Sequence, residues 1–509
     1  MMIKVLKNIL LISCLVVASY TAKSQQITYS EVDREEGRIN AYEVIGKLNG
    51  NILIYKNIRD VHYIQTFNNE MLPIEKVKLD YLSDRVFNVD FLLYRDYVYL
   101  FYQYQKKNIV YCNAVKLDGF GKKNGEILEL DTTDARGVVS NKMYEYLYSE
   151  DKQKIAFIKV NSKDEKQHFV TTVLFDKDLQ LVEKKRTAVP MPDRSDYLTE
   201  FVLSNKGDIS FLRAWGSQND NISKITLFTK QQGNSNLQIQ EVLSPKTAYL
   251  DDIKVKIDNL NNSFILTSFY AKKRRGDIEG IYNISIDKDG KVIAKNTVFD
   301  EDFRFNAKGD QSSKTAFNEY YIKHIISKKD GGYIITAQCE YTSTRGGNNF
   351  NRWDNFGSPW GMNSFDYYSF GGGGMFFASP WNRWGNNNSI TRYFSDNIAV
   401  MSFDANGNMQ WSNVLYKSQF DDNTDQNLGF GLFNTGNQLH FLFNKSEKRQ
   451  VFLTDNSITP DGQIIRNSTL KNLDKGYDFL PKFAKQTGAK QIIVPCLYRN
   501  YISFAKIEY

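Results

Sequence analysis

Twelve aromatic side chains crowd into residues 346–389, GGNNFNRWDNFGSPWGMNSFDYYSFGGGGMFFASPWNRWGNNNS. They are Phe350, Trp353, Phe356, Trp360, Phe365, Tyr367, Tyr368, Phe370, Phe376, Phe377, Trp381 and Trp384. The chemistry such a set can do is recognition: these rings release most free energy when another surface covers them. Four of the six tryptophans and nine of the 32 glycines are here, with no lysine and no glutamate, and the charges of Arg352, Asp354, Asp366 and Arg383 cancel. Glycine and asparagine at this density bury too little apolar surface to offset the entropy of ordering, so neither helix nor strand is expected. Three readings follow: a low-complexity excursion, an anchor that orders inside a partner's cavity, or a platform on which sugars stack.

Residue types suited to bond-making chemistry are sparse. His62, His168, His324 and His440 stand in different parts of the chain, none at metal spacing from a cysteine or carboxylate, and read as strand or loop residues. Cys112, Cys339 and Cys496 each lie in an apolar run and read as buried thiols, not as a disulfide framework. Glu35, Glu36, Asp131 and Asp134 are acid/base candidates only if the fold pairs two of them; carboxylates are otherwise solvated. Gly119-Phe120-Gly121 and Asp287-Lys288-Asp289-Gly290 suit hairpin tips better than a phosphate loop or a calcium loop, the latter lacking its downstream glutamate. No GxSxG or HExxH occurs. No catalytic, cofactor or metal residue is assigned, and a non-enzymatic role is the preferred reading.

The elements that would hold such a segment repeat. A polar or glycine pair followed by an apolar strand recurs at Ile52, Val98, Ile155, Ile209, Phe264, Tyr333, Leu439 and Ile492. A tight Asp/Asn/Gly turn follows each of the first seven, near Asn69, Asp118, Asp176, Gln231, Asp287, Asp404 and Asp461, as a hairpin requires. Four-stranded units that are apolar on both faces bury themselves only by stacking around a ring. The expectation is all-β: one β-propeller over 25–509 with eight blades of four antiparallel strands, seven if one unit is irregular. The chain ends after the third strand of the last unit, so ITYSEV near the N-terminus is expected to close the ring as its fourth.

In such a meander, residues 344–392 insert between strands two and three of the sixth unit, on the face opposite the tight turns. Residues 300–317 join the fifth unit to the sixth on the same face, which marks it as the working surface. Residues 1–24 read as a cleaved secretory signal: Lys4 and Lys7, an apolar run from Ile9 to Ala18, and the small-x-small site Ala22-Lys23-Ser24. Cys14 is followed by more apolar core, against a lipid anchor. Cleavage removes three lysines and no carboxylate from a formal +7, leaving +4, too little to argue for nucleic acid.

SFDANGNMQW at 402–411 resembles the repeat signature of the quinoprotein-type eight-bladed propellers, in which an aspartate turn, a glycine and a tryptophan recur. The resemblance implies the ring architecture; that family's quinone-binding residues find no counterpart here, so no quinone chemistry is carried over. The scaffold propellers of outer-membrane assembly machines are the better analogy. With its signal, fold and apolar insertion, the chain is also similar to the propellers that plug the periplasmic mouth of the type IX secretion translocon of Gram-negative bacteria. That similarity implies a periplasmic protein, peripheral to the outer membrane and not spanning it, whose partner is a channel. A secreted glycan-binding or glycan-cleaving propeller is the alternative.

Overall fold

The computed structural model describes residues 25–32, 39–82, 86–135, 137, 142–164, 166–216, 221–242, 249–308, 315–344, 391–422, 425–447, 450–470, 477–498 and 501–509. These form eight antiparallel sheets arranged as an eight-bladed β-propeller. Every apolar marker read from the sequence falls in the second strand of a blade, from Asn51–Ile58 in blade one to Gln491–Tyr498 in blade eight. These strands pair on both edges and are buried on both faces, as their near-continuous β-branched and aromatic runs dictate. Outermost strands behave differently: Leu181–Pro190 in blade three alternates exposed and half-buried residues, because one of its faces meets water.

In blades one, two, three, five and six the turns between strands three and four share one chemistry. The Oδ1 of Asp118, Asp176, Asp287 and Asp404 each accepts two backbone N–H bonds, from the residues two and four further on, at 2.8–3.0 Å. In blade one Asn68 Oδ1 does the same for Glu70 and Leu72. A short side-chain acceptor that bonds its own turn is the reason Asp and Asn mark these positions. Asp287 is therefore a hairpin tip.

Burial runs between blades. Eight apolar clusters form, one for each neighbouring pair of blades around the ring. The pair that closes the circle is sealed by Tyr42, Ile52 and Phe67 of blade one against Leu480, Ile493 and Phe504 of blade eight. Blade eight takes its outer strand from the other end of the chain: Gln26–Tyr29 pairs antiparallel with Tyr501–Glu508, from Gln26 opposite Glu508 to Tyr29 opposite Ala505. Ser30 extends the closure, its N–H bonding Phe504 O and its Oγ accepting Phe504 N–H, both at 2.9 Å. The outer strand anticipated from ITYSEV is thus in place.

Innermost strands are irregular. Register shifts interrupt pairing with the second strand in blades one, two, four, five and six. Such bulges re-aim side chains toward a functional or axial space. In blade four the bulge holds Glu200 at φ +53°, where its carboxylate accepts Val255 N–H at 3.1 Å and pairs with Lys254 at 3.3 Å.

Cys112, Cys339 and Cys496 are buried free thiols, as their apolar runs indicated. No helix among the described residues is long and apolar enough to cross a membrane.

Candidate functional site: the stalk of blade six

The described regular blades are elaborated most around blade six, on the face opposite the tight turns. Its second and third strands, Tyr333–Thr344 and Thr391–Phe403, are 12 and 13 residues long. After a register shift between Gln338 and Glu340 the two run on together, Glu340 opposite Ser395 and Thr344 opposite Thr391. This ribbon is the stalk from which residues 345–390 depart. A third short strand, Phe420–Asp422, pairs along Arg392–Phe394 and thickens it. Tyr341 stacks on Phe394 with centroids 4.5 Å apart and planes 9° from parallel. Arg392 grips Asp422 with two bonds of 2.7 and 3.0 Å while its guanidinium lies 4.6 Å over Phe420.

The insertion between blades five and six contains a helix, Glu301–Lys308, not anticipated from sequence. Asp300 caps it by accepting Phe303 N–H at 2.7 Å. Phe303 and Ala307 drop into the wedge between blades five and six beside Phe299, Phe317 and Tyr320. Buried Arg304 donates to the carbonyls of Phe299, Ile278 and Glu279. Asn397, at the stalk's base, donates to Ala307 O at 3.1 Å and accepts Lys417 N–H at 2.9 Å, tying helix, stalk and crossover together.

Beneath the stalk lies a buried polar network. The bulged Lys323 meets Glu340 at 2.7 Å, the two side chains only 3% and 7% exposed. Lys417 is enclosed, its Nζ donating to Ser395 O at 2.7 Å, Ser395 Oγ at 2.8 Å and Gln419 Oε1 at 2.8 Å. Gln419 spends its other end on Asn444 O at 2.7 Å, and its Oε1 also accepts Gly429 N–H at 2.9 Å. Burial pulls Lys417 down to about 7, with Glu340 and Asp396 opposing. Burial pushes Glu319 up to about 7 against the pull of Lys308, and Asp421 up to about 6. An amine near neutrality could act as base or nucleophile. Here its three donors are all engaged and it is sealed from solvent, so its observable role is to hold stalk and crossover in register.

The twelve aromatics singled out from sequence, from Phe350 to Trp384, lie outside the described residues, as do Glu35 and Glu36. Asp131 and Asp134 sit on one outer strand of blade two but do not form a pair. Asp131 instead accepts Tyr144 OH at 3.0 Å and binds Lys184 at 2.6 Å. All four histidines are on strands. His440 departs from the sequence reading in having a carboxylate partner, Asp455, at 3.0 Å. Asp455 is fully buried and also takes bonds from Gln25 at 2.6 Å and Asn467 at 3.1 Å. Among the described residues no three His, Cys, Asp or Glu side chains gather as a metal set. Glu43 and Asp90, on the innermost strands of blades one and two, are near enough to share a field. Burial raises Glu43 strongly, Lys485 lowers it and Asp90 raises it further.

These features define an eight-bladed β-propeller with one reinforced, polar-rooted stalk. No protein-family model matches the chain, and no curated protein matches it. Among solved structures it is similar to a prolyl endopeptidase at 8% identity and a TM-score of 0.42, covering 91% of this chain. It spans about half, 55%, of that enzyme's length. It is also similar to an ulvan lyase of polysaccharide lyase family PL25, at 10% identity and a TM-score of 0.37, covering 81% of this chain and 90% of that one. A putative 6-phosphogluconolactonase from Bacteroides uniformis shares 10% identity at a TM-score of 0.37, covering 85% and 97%. Likeness at this level says nothing of activity.

Proposed function

We propose that this chain is a non-enzymatic docking protein of the bacterial envelope. Its signal delivers it to the periplasm, where it stays peripheral to the outer membrane, and the disc presents residues 346–389 to an outer-membrane protein-export channel such as the type IX translocon. The observation that supports this is the stalk: a three-stranded, aromatically braced ribbon carries a segment with twelve aromatics, so the rigid body limits the entropy lost when the rings are covered. The register supplies the test, because Thr344 faces Thr391 and an Asn-Gly turn can join them in place of 345–390. Intact and excised chains would be recovered from detergent-solubilised outer membranes and their partners identified by mass spectrometry. A channel protein recovered with the intact chain only supports the proposal; equal recovery defeats it.

A glycan-acting propeller is the second reading, favoured by the shared field of Glu43 and Asp90. Both are buried, at 5% and 8% exposure, which leaves a sugar ring little access to them. Turnover of an acidic polysaccharide that is lost in Glu43→Gln would establish that reading instead.

A further inference from the structure

Blade three places two cations on the face it turns toward blade two. Its second strand, Lys154–Asp164, pairs with its third, Gln167–Asp176, which pairs in turn with the outer strand, so that Lys159 lies opposite Thr171 and Thr171 opposite Arg186. Residues opposed in this way share a face. One row deeper, Phe157 and Val173 belong to the apolar wedge between blades two and three. One row outward, Phe169 is half-buried and Asn161 and Ala188 are exposed. The row of Lys159 is therefore the last one enclosed before the wedge opens. Because Lys154–Asp164 runs out toward the turn between strands two and three, that opening is on the face that carries the stalk.

Lys159 is only 9% exposed, yet its Nζ meets a neutral oxygen, the Tyr144 hydroxyl, and that at 3.5 Å, with the ring centre 5.1 Å away. This is at the outer limit of a hydrogen bond. The carboxylate beside them is already engaged, since Asp131 accepts Tyr144 OH at 3.0 Å and pairs with Lys184 at 2.6 Å. Arg186 lies 4.2 Å over the Phe169 ring, a stacking contact that does not use its N–H donors. Among the described residues neither Lys159 nor Arg186 forms an ion pair. Burial first holds Lys159 below the ordinary lysine range, Asp131 opposes, Lys184 and Arg186 deepen the depression, and Asp134 opposes last, so all five groups share one field. Three cations against two carboxylates leave one positive charge unmatched. An enclosed ammonium in that position costs stability unless an anion reaches it.

We propose that the rim of the wedge between blades two and three is a binding site for a singly charged oxyanion, the carboxylate or sulfate ester of a ligand that enters from the stalk face. Lys159 holds the group from below, Thr171 lies between, and Arg186 closes on it from the outer strand with paired N–H donors. Tyr144, held in turn by Asp131, fixes the position of the ammonium. The site is on blade three and the stalk on blade six, so it stands or falls independently of recovery of a channel.

The probes are radiolabelled acetate and radiolabelled methyl sulfate, each brought to equilibrium with the full chain by dialysis while sodium chloride holds the ionic strength constant. One saturable site is expected, and the ion that binds it more tightly assigns it to carboxylates or to sulfate esters. Affinity should fall by about tenfold or more in Lys159→Met and in Arg186→Ser. Arg186 is exposed, so its variant keeps the test valid if Lys159→Met disturbs the wedge. Lys185→Ser removes the same charge from the same strand but from its opposite face, where Lys185 donates to Ser235 Oγ at 3.3 Å, and is expected to leave binding unchanged. No saturable site for either ion, binding unchanged in Arg186→Ser, or an equal loss in Lys185→Ser overturns the proposal.

Discussion

At the scale of single residues, the network under the stalk is held by charges that water has left. Removing one partner of a buried pair strands the other. Glu340→Ala, which leaves the Lys323 ammonium enclosed, is therefore expected to cost about 3–5 kcal/mol in urea unfolding. Lys323→Met/Glu340→Leu should recover most of that loss, and a double variant as unstable as the single would refute the pairing. Glu319 gives a pH signature. Its carboxyl is raised from 4.5 to about 7, so the native state keeps a proton that the unfolded chain releases across that interval. Its contribution to stability is complete below pH 4.5 and disappears as pH rises through 7. Urea midpoints measured at pH 5 and 7.5 should differ less in Glu319→Gln than in the native sequence; an identical difference would show that Glu319 is ionised throughout. None of these burials could be read locally. The lysine in Tyr-Lys-Ser-Gln-Phe alternates with its neighbours equally well on either face, and only the bonds to Ser395, far along the chain, decide which face is inside. His440 likewise finds Asp455 through the pairing of two strands, which spacing alone does not reveal.

At the scale of elements, the second strand of each blade was legible because it is buried on both sides, and the Asp/Asn turn was legible because its chemistry is local. The helix Glu301–Lys308 carried a signal too: Asp300 as cap, acids in the first turn, and Phe303 and Ala307 one turn apart. At eight residues it is shorter than a sequence pattern can establish without its packing. Phe303→Ala should destabilise the protein by about 3–5 kcal/mol, since the ring fills the wedge between blades five and six. Thermal unfolding within the ordinary scatter of a surface substitution would mean that the helix is only draped on the disc. The tryptophan of SFDANGNMQW also acquires a physical role. Trp411 donates to Pro460 O at 3.1 Å across the junction, over the tip at Gly462, where a Cβ would come within 2.8 Å of the indole. Gly462 is at φ +91°, so Gly462→Ala strains the turn and clashes with the indole at once.

At the scale of the whole molecule, the ring is closed by four residues from one end of the chain laid against the other. A chain beginning at residue 31 loses Ile27 and Tyr29 from the cluster joining blades seven and eight and leaves the outer edge of Ala505–Glu508 unpaired, with only the inner edge still bonded to Gln491–Val494. It is expected to unfold at lower temperature and to self-associate through that edge, as light scattering after gel filtration would reveal. A monomer with unchanged melting would show that the strand is dispensable. The ring architecture could be counted from the repeat because every wedge is built by the same rule. The stalk's braces could not, because Phe420–Asp422 reaches Arg392–Phe394 only through the tertiary fold.

Asp455 joins Gln25, near the beginning of the sequence, to His440 in blade seven, with Tyr509 at the very end standing 4.7 Å from that imidazole. A polypeptide made N-terminus first therefore carries Gln26–Tyr29 unmatched until Tyr501–Glu508 has followed it. Closure of this disc waits on that last hairpin, and any factor that shields a bare strand during the interval would act on residues 26–29.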